Sequence, residues 1–275
     1  MTRRLLLLVA LLGLAAPAQD RPLRIVSLAP HLTELVFAAG AGETLVGTVA
    51  YSDYPAQALA IERIGDAWRV DLERLLALQP DLVLAWPSGT PQQTLERLRG
   101  SGLEVALLPT DRLQDVAAAL RRIGELTGHT AEAGAAARRF EEQVAGLRER
   151  YAAAAAISVF VQLDDQPLYT INGRHLISEV VELCGGRNVF AELPQLAPAV
   201  SLESVLARDP QVILSTDDTI ADPRREWSRW QSMQAVRAGT IYAVPADTVS
   251  RATPRLAEGI AAVCEALAAA RIAYR

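Results

Sequence analysis

Short apolar runs alternate with stretches of helical spacing along most of this chain, and one such pair occurs twice. Leu72 to Trp86 reads LERLLALQPDLVLAW and Leu202 to Thr216 reads LESVLARDPQVILST. The copies share Leu72/Leu202, Glu73/Glu203, Leu76/Leu206, Ala77/Ala207, Pro80/Pro210 and Leu84/Leu214 at one offset of 130 residues (202 − 72). Each predicts a short helix, a proline stop and a strand, because proline lacks the N–H and crowds the preceding turn. DLVLAW and QVILST are apolar on both faces, as strands in the middle of a parallel sheet are. The offset far exceeds the period of about 20–50 residues found in stacked repeats, so it implies two similar lobes instead of a solenoid.

The same alternation extends on both sides. RIVSLAP predicts a strand, HLTELVFAAGAG a helix closed by Gly40 and Gly42, LVGTVAY a strand reaching Tyr51, Gln92 to Arg99 a helix and EVALLPT a further strand. From Asp111 to Ala156 there is no strand pattern. Leu113, Val116, Leu120, Ile123 and Leu126 mark one helix, and Ala131 through Phe140, Val144, Leu147 and Tyr151 a second, longer one. The plan then repeats: ISVFVQL as a strand, HLISEVVELCGG as a helix echoing HLTELVFAAGAG, the second repeat unit, a helix near Arg224 to Ala235, the strand TIYAVPA and an alanine-rich helix from Thr253 to Ala270. The expected fold is α/β, with two parallel-sheet lobes joined by one long rigid helix. Residues 19–110 form the first lobe, 111–156 the interlobe helical segment and 157–275 the second lobe.

Residues 1–18 change the compartment. Arg3 and Arg4 precede an apolar run from Leu5 to Ala16 and an Ala16-Pro17-Ala18 cleavage pattern, which reads as a secretory signal. The run is shorter than the roughly 20 residues a spanning helix needs, and no cysteine follows to carry a lipid. A soluble, exported protein is expected. Its two cysteines, Cys184 and Cys264, then read as one disulfide, because an even pair in an oxidising compartment pairs.

All 27 basic residues are arginine, which excludes a P-loop lysine, a Schiff-base lysine and a lysine general base. The net charge of −5 argues against nucleic acid or an anionic membrane as the main partner, both of which need a basic footprint. No GxSxG, HExxH or CxxC is present, and Gly40-Ala41-Gly42 follows a helix instead of a strand, so no enzymatic activity is expected. The adjacent carboxylates Asp164-Asp165 and Asp217-Asp218 read as solvated loop charge. Of the three histidines, His31 and His175 begin equivalent helices and His129 follows Gly128 in a turn, so no metal site is expected.

Ligands on open parallel sheets bind outside the carboxyl ends of the strands. That rule selects Tyr51, Tyr54, Trp68 and Trp86 in the first lobe, and Tyr169, the loop near Ala197, and Asp247 with Arg251 in the second. Aromatic rings facing a cleft suit a flat or bulky ligand, while the alternative for each tryptophan is packing within its own lobe. Trp227 and Trp230, three apart on a helix, read as packing. Glu73 and Glu203 lie in first helical turns, where a negative charge offsets the macrodipole; an acid at the same place in each lobe would also present a pair to a two-fold symmetric partner.

SLAPHLTELVFAAGAGETLVGTVAYSDYP, DLERLLALQPDLVLAW, ELCGGRNVF and VSLESVLARDPQVIL together resemble the helical-backbone substrate-binding proteins of ABC importers, and within them the branch that carries cobalamin (vitamin B12). The resemblance spans nearly the whole mature chain. It implies Rossmann-like lobes, small closure motions, a monomer, no cofactor, and a corrinoid held between the lobes as transported ligand, with haem or an iron siderophore as the alternative cargo. By position, Tyr51, Trp68, Trp86 and Tyr169 fall where relatives place aromatic contacts, and Asp247 and Arg251 where they place polar ones. Ala197 stands where relatives have a tryptophan. The acids matching Glu73 and Glu203 dock onto arginines of the permease dimer in that family.

Overall fold

The computed structural model describes residues 21–66, 68–216 and 222–275. The expected signal and Asp217-Asp218 lie outside these residues. In the first lobe β1 (Ile25–Ser27), α1 (Pro30–Ala38), β2 (Leu45–Gly47), α2 (Leu72–Ala77), β3 (Leu82–Ala85), α3 (Gln92–Gly100) and β4 (Val105–Leu107) build a parallel sheet in the order β2-β1-β3-β4. The connector consists of α4 (Leu113–Thr127) and α5 (Thr130–Tyr151). At 22 residues, α5 is about 33 Å long. The second lobe follows with β5 (Ile157–Gln162), β6 (Asp164–Asp165), β7 (Leu168–Tyr169), α6 (Leu176–Leu183), β8 (Gly186–Asn188), α7 (Leu202–Arg208), β9 (Val212–Ser215), α8 (Pro223–Trp227), α9 (Gln234–Ala238), β10 (Ile241–Ala243), α10 (Ala246–Ser250) and α11 (Leu256–Ala273). Its parallel sheet has the order β10-β9-β5-β8, and β6 and β7 form a small antiparallel hairpin above β5.

The repeat appears at the same offset in three dimensions. Asp71 caps α2 by accepting the Arg74 N–H, and Ser201 caps α7 by accepting the Ser204 N–H. Each helix ends on a left-handed residue immediately before the proline, Gln79 at φ 47° and Asp209 at φ 41°. The proline bars its predecessor from the right-handed helical region, so the chain turns there and enters the strand. β3 and β9 are buried along their whole length, each between two neighbours.

Strand alternation explains how the lobes join. Ile25, Leu84, Val159, Val161 and Leu214 point to a single apolar core that also takes in Leu120, Ile123 and Phe140 of the connector and Leu256 and Ile260 of α11. Val26 and Val83 point the other way, onto Leu75, Leu95 and Leu98, and Phe160 and Ile213 onto Phe190, Val205 and Trp227. One face of each sheet thus belongs to a core shared by both lobes, and the other to a layer private to its own. Trp227 stacks edge-on against Phe160 and leans on Trp230, the packing role the spacing predicts. The Cys184–Cys264 disulfide ties the end of α6 to the middle of α11 inside the shared core.

Two sequence expectations are corrected. The strand expected to reach Tyr51 stops at Gly47, because Thr48 leaves the sheet to bridge Arg63 and the chain turns at Tyr51. The helix expected from Arg224 to Ala235 is two short helices, since the Asp209 carboxylate accepts the Gln234 N–H and starts α9 afresh.

The lobes are also joined by charge. Glu34 of α1 has 2% of its side chain exposed, and its carboxylate meets Arg255 at 2.8 Å and Arg251 at 2.9 Å, both from the second lobe. Removing one partner of a buried pair leaves uncompensated charge. Glu34→Ala is therefore expected to lower unfolding free energy by about 3 kcal/mol, read as a shift in the urea midpoint at unchanged m-value; a shift under a third of that size would show that water, not Glu34, satisfies the arginines.

Candidate ligand-binding cleft

The carboxyl ends of β3 and β4 face those of the second lobe across a hollow of about 300 Å³. Trp86, Ser88, Thr110 and Asp111 line it from one side, and Arg174, His175, Leu196 and Ser250 from the other. Three other hollows are larger, about 390, 400 and 320 Å³; the first is lined by Glu34, the Tyr54-Pro55 turn, Gln143 and Arg255, and the other two by residues of α4, α5, α6 and α11. The 300 Å³ hollow differs from them in combining residues that directly follow β3 and β4 with the loops of the second lobe.

Trp86 is held in a fixed pose. Its Nε1–H donates to Asp111 Oδ1 at 3.1 Å, its backbone N–H to Thr90 Oγ1 at 3.2 Å, and the His31 ring meets it edge-on at 5.1 Å. Gly89 makes room, since a Cβ there would lie 2.1 Å from the indole. Trp86 thus spans both alternatives the sequence leaves open: it touches the shared core and also lines the interlobe hollow.

Tyr51 is 78% exposed and sits at φ 65°, a left-handed conformation that costs a non-glycine residue about 1 kcal/mol or more. Its neighbours hold it there. Ser52 is buried and accepts a hydrogen bond from Thr48 at 2.8 Å, Asp53 pairs with Arg251 at 2.9 Å, and the Arg255 guanidinium lies 3.9 Å over the Tyr54 ring. One face of Tyr54 is thereby covered by a cation, and Tyr51 is the more exposed ring of the YSDYP turn. Trp68 is 74% exposed and Tyr169 36% exposed. Tyr169 bridges Ala199, which brings the 196–199 loop alongside it. Ala197 is exposed and small; its neighbour Leu196 supplies the apolar wall of the hollow.

Asp247 and Arg251 pair at 2.7 Å on α10 and just after it, as their spacing allows. They are no ordinary surface pair. Arg251 is 13% exposed and reaches Glu34 and Asp53 of the first lobe as well, so one guanidinium joins three carboxylates across the lobes. Glu73 and Glu203 are both exposed in the first turns of α2 and α7. A helix leading into a parallel strand runs antiparallel to it, which places both acids at the carboxyl-end rim where the cleft opens. Among the described residues no group of three or more metal-ligating side chains converges, and His129 donates or accepts at Thr127 between α4 and α5. Sequence reasoning missed Asp111, Arg174, His175 as a lining residue, Leu196 and Glu34. The strand-end rule applied to β4 would have found Asp111; nothing local marks Glu34, whose partners lie more than 200 residues away.

Two parallel-sheet lobes on a helical connector, with aromatic and polar side chains around a hollow they share, define the class of two-lobed ligand-binding proteins. The chain belongs to the periplasmic binding protein family, which it matches over residues 25–248. It is 38% identical over 280 residues to a vitamin B12-binding protein of Pectobacterium atrosepticum, covering 99% of this chain and 98% of that one. A vitamin B12-binding protein of Vibrio parahaemolyticus is 36% identical over 243 residues, 88% of each chain. The crystal structure of a periplasmic vitamin B12-binding protein of Vibrio cholerae superposes with a TM-score of 0.86 at 38% identity, covering 90% of this chain and 97% of that one. A haem-binding protein of the same organism shares the fold, with a TM-score of 0.78 at 20% identity over 89% and 98% of the two chains.

The buried histidine carries a pH dependence. Burial, assisted by the Arg251 charge and opposed by Asp111, lowers the His31 pKa from 6.5 to about 4. Above pH 6.5 both folded and unfolded chains hold it neutral. As pH falls below 6.5 the unfolded chain takes up a proton that the fold refuses, so stability declines by up to about 3 kcal/mol between pH 6.5 and 4. Urea unfolding across that window should show the slope, and His31→Gln should reduce it; an unchanged slope would locate the effect elsewhere.

Proposed function

We propose that this protein is a periplasmic carrier that holds cobalamin or a related corrinoid in the interlobe cleft and hands it to an ABC permease. The observation that carries the reading is the cleft itself: Trp86 fixed on one wall of a hollow that both lobes build, in a chain whose relatives at 36–38% identity are vitamin B12-binding proteins. The hollow of about 300 Å³ is at the small end of ligand sites. A corrinoid is larger, so only one edge enters and the remainder rests on the exposed rings of Tyr51, Trp68 and Tyr169. Covering one such ring is worth about 2 kcal/mol. Asp247 and Arg251 are the polar contacts in this reading, with Arg251 oriented by its interlobe carboxylates.

Isothermal titration with cyanocobalamin, cobinamide and haemin side by side tests the cargo. Cyanocobalamin is expected to bind and haemin to bind at least tenfold more weakly, with Trp86→Ala weakening cyanocobalamin binding about tenfold or more. Tighter binding of haemin would replace corrinoid by haem.

Delivery rests on Glu73 and Glu203, one on each lobe at the rim of the cleft. Their arrangement supports docking onto paired basic residues of a two-fold symmetric permease in the inner membrane. The double variant Glu73→Arg with Glu203→Arg is expected to leave ligand affinity intact and abolish uptake by cells that depend on this carrier. Normal uptake by that variant would remove the docking role.

A further inference from the structure

The polar groups around the interlobe hollow divide unequally between donors and acceptors. Ser88 donates its hydroxyl proton to Asp111 at 2.6 Å, and Ser250 donates its own to the Ala246 carbonyl at 2.6 Å. Both hydroxyls therefore offer lone pairs to the hollow, Ser88 beside the Asp111 carboxylate on the first-lobe wall and Ser250 on the second-lobe wall. The second-lobe wall also holds Arg174 and His175. The His175 ring is oriented by its own helix: Nδ1 accepts the Ile177 N–H at 3.1 Å and caps α6. The nitrogen that accepts holds the lone pair, so in the neutral ring the proton resides on Nε2. Burial lowers the His175 pKa from 6.5 to about 4, which keeps the ring neutral near pH 7. Among the described residues Nε2 has no hydrogen-bond partner, and it is not one of the sealed unpartnered atoms, so it stands open at the hollow.

The loop that carries this ring is rigid. Asn172 N–H donates to the Leu196 carbonyl and Gly173 N–H to the Ala191 carbonyl, both at 3.0 Å, and the Asn172 side chain accepts the Arg174 N–H at 2.9 Å. His175 and Leu196 are therefore set against each other before any ligand arrives.

We propose that His175 is a ligand-contacting residue whose Nε2–H donates to a carbonyl on the edge of the cargo, making the hollow a recognition site for primary amides. The inference rests on the cleft being the cargo site. A hollow that offers both acceptors and donors matches an amide, which carries both, and the periphery of a corrinoid is built of such amides. A carboxylate edge, as on haem, offers only acceptors and would face Asp111 with Arg174 alone to offset it. The same tautomer excludes His175 as an axial ligand to the cargo metal. Coordination needs the Nε2 lone pair, which would move the ring proton to Nδ1 and set it against the Ile177 N–H.

Two substitutions separate the cap from the contact. Serine is a good N-cap but too short to reach the hollow. His175→Ser is expected to keep the wild-type melting temperature and to bind cyanocobalamin about tenfold more weakly; His175→Ala should show the same weakening together with a lowered melting temperature. Aquocobalamin, whose upper water is exchangeable, should keep its free visible spectrum on binding. Full-strength cyanocobalamin binding by His175→Ser, or a spectral shift with aquocobalamin that His175→Ser abolishes, overturns the assignment while leaving the cargo reading standing. Failure of the unsubstituted protein to bind any corrinoid removes both.

Discussion

Taking a carboxylate out of water costs several kcal/mol unless opposite charge and hydrogen bonds replace the lost hydration. Glu34 is out of water, and what replaces it comes from Arg251 and Arg255, beyond the second sheet. The compensation exists only when the two lobes face each other as they do here. It also propagates. Arg251, drawn down to Glu34, is within reach of Asp53; Arg255 covers Tyr54; and the turn bearing both is pinned so that Tyr51 stays outward in a strained backbone conformation. A single buried acid thus couples lobe orientation to the display of an exposed aromatic ring.

The shared apolar core acts in the same sense. Parting the lobes would expose the faces of both sheets together with one side of α4, α5 and α11, and breaking α5 would sacrifice backbone hydrogen bonds along its length. The cleft is consequently largely formed without ligand, and affinity depends on how well its preset groups match the cargo, with little binding energy spent on closure.

Duplication supplied the scaffold, and asymmetry supplied the site. α2 with β3 and α7 with β9 are near copies down to the left-handed residue before each proline. The histidines at the starts of α1 and α6 show how copies diverge. His31 lies one step inside its helix, is buried against Trp86 and bonds Thr110; His175 is the cap residue itself and turns its other nitrogen to the hollow. A two-position difference relative to the helix cap sends one ring into the core and leaves the other at the cleft.

Much of this was legible along the chain. Helical and strand periodicity, the proline stops and the constant offset define two parallel-sheet lobes and a helical connector, because these features follow from backbone sterics and side-chain alternation within a few residues. The strand-end rule selects Trp86 for a related reason: once β3 is placed, its exit is placed too. What the chain could not disclose is which charges meet. Asp247 and Arg251 read as a local pair, yet the guanidinium also serves Glu34 and Asp53 in the other lobe. Leu196 in place of Ala197, the Asp111 grip on Trp86 and the open face of His175 likewise depend on loops brought together from separate parts of the chain. The sequence by itself determined the elements and their duplication, since those are set by short-range geometry; only the tertiary structure decided the clamp and the chemistry of the cleft, since electrostatic and hydrogen-bond partners are chosen by distance in space.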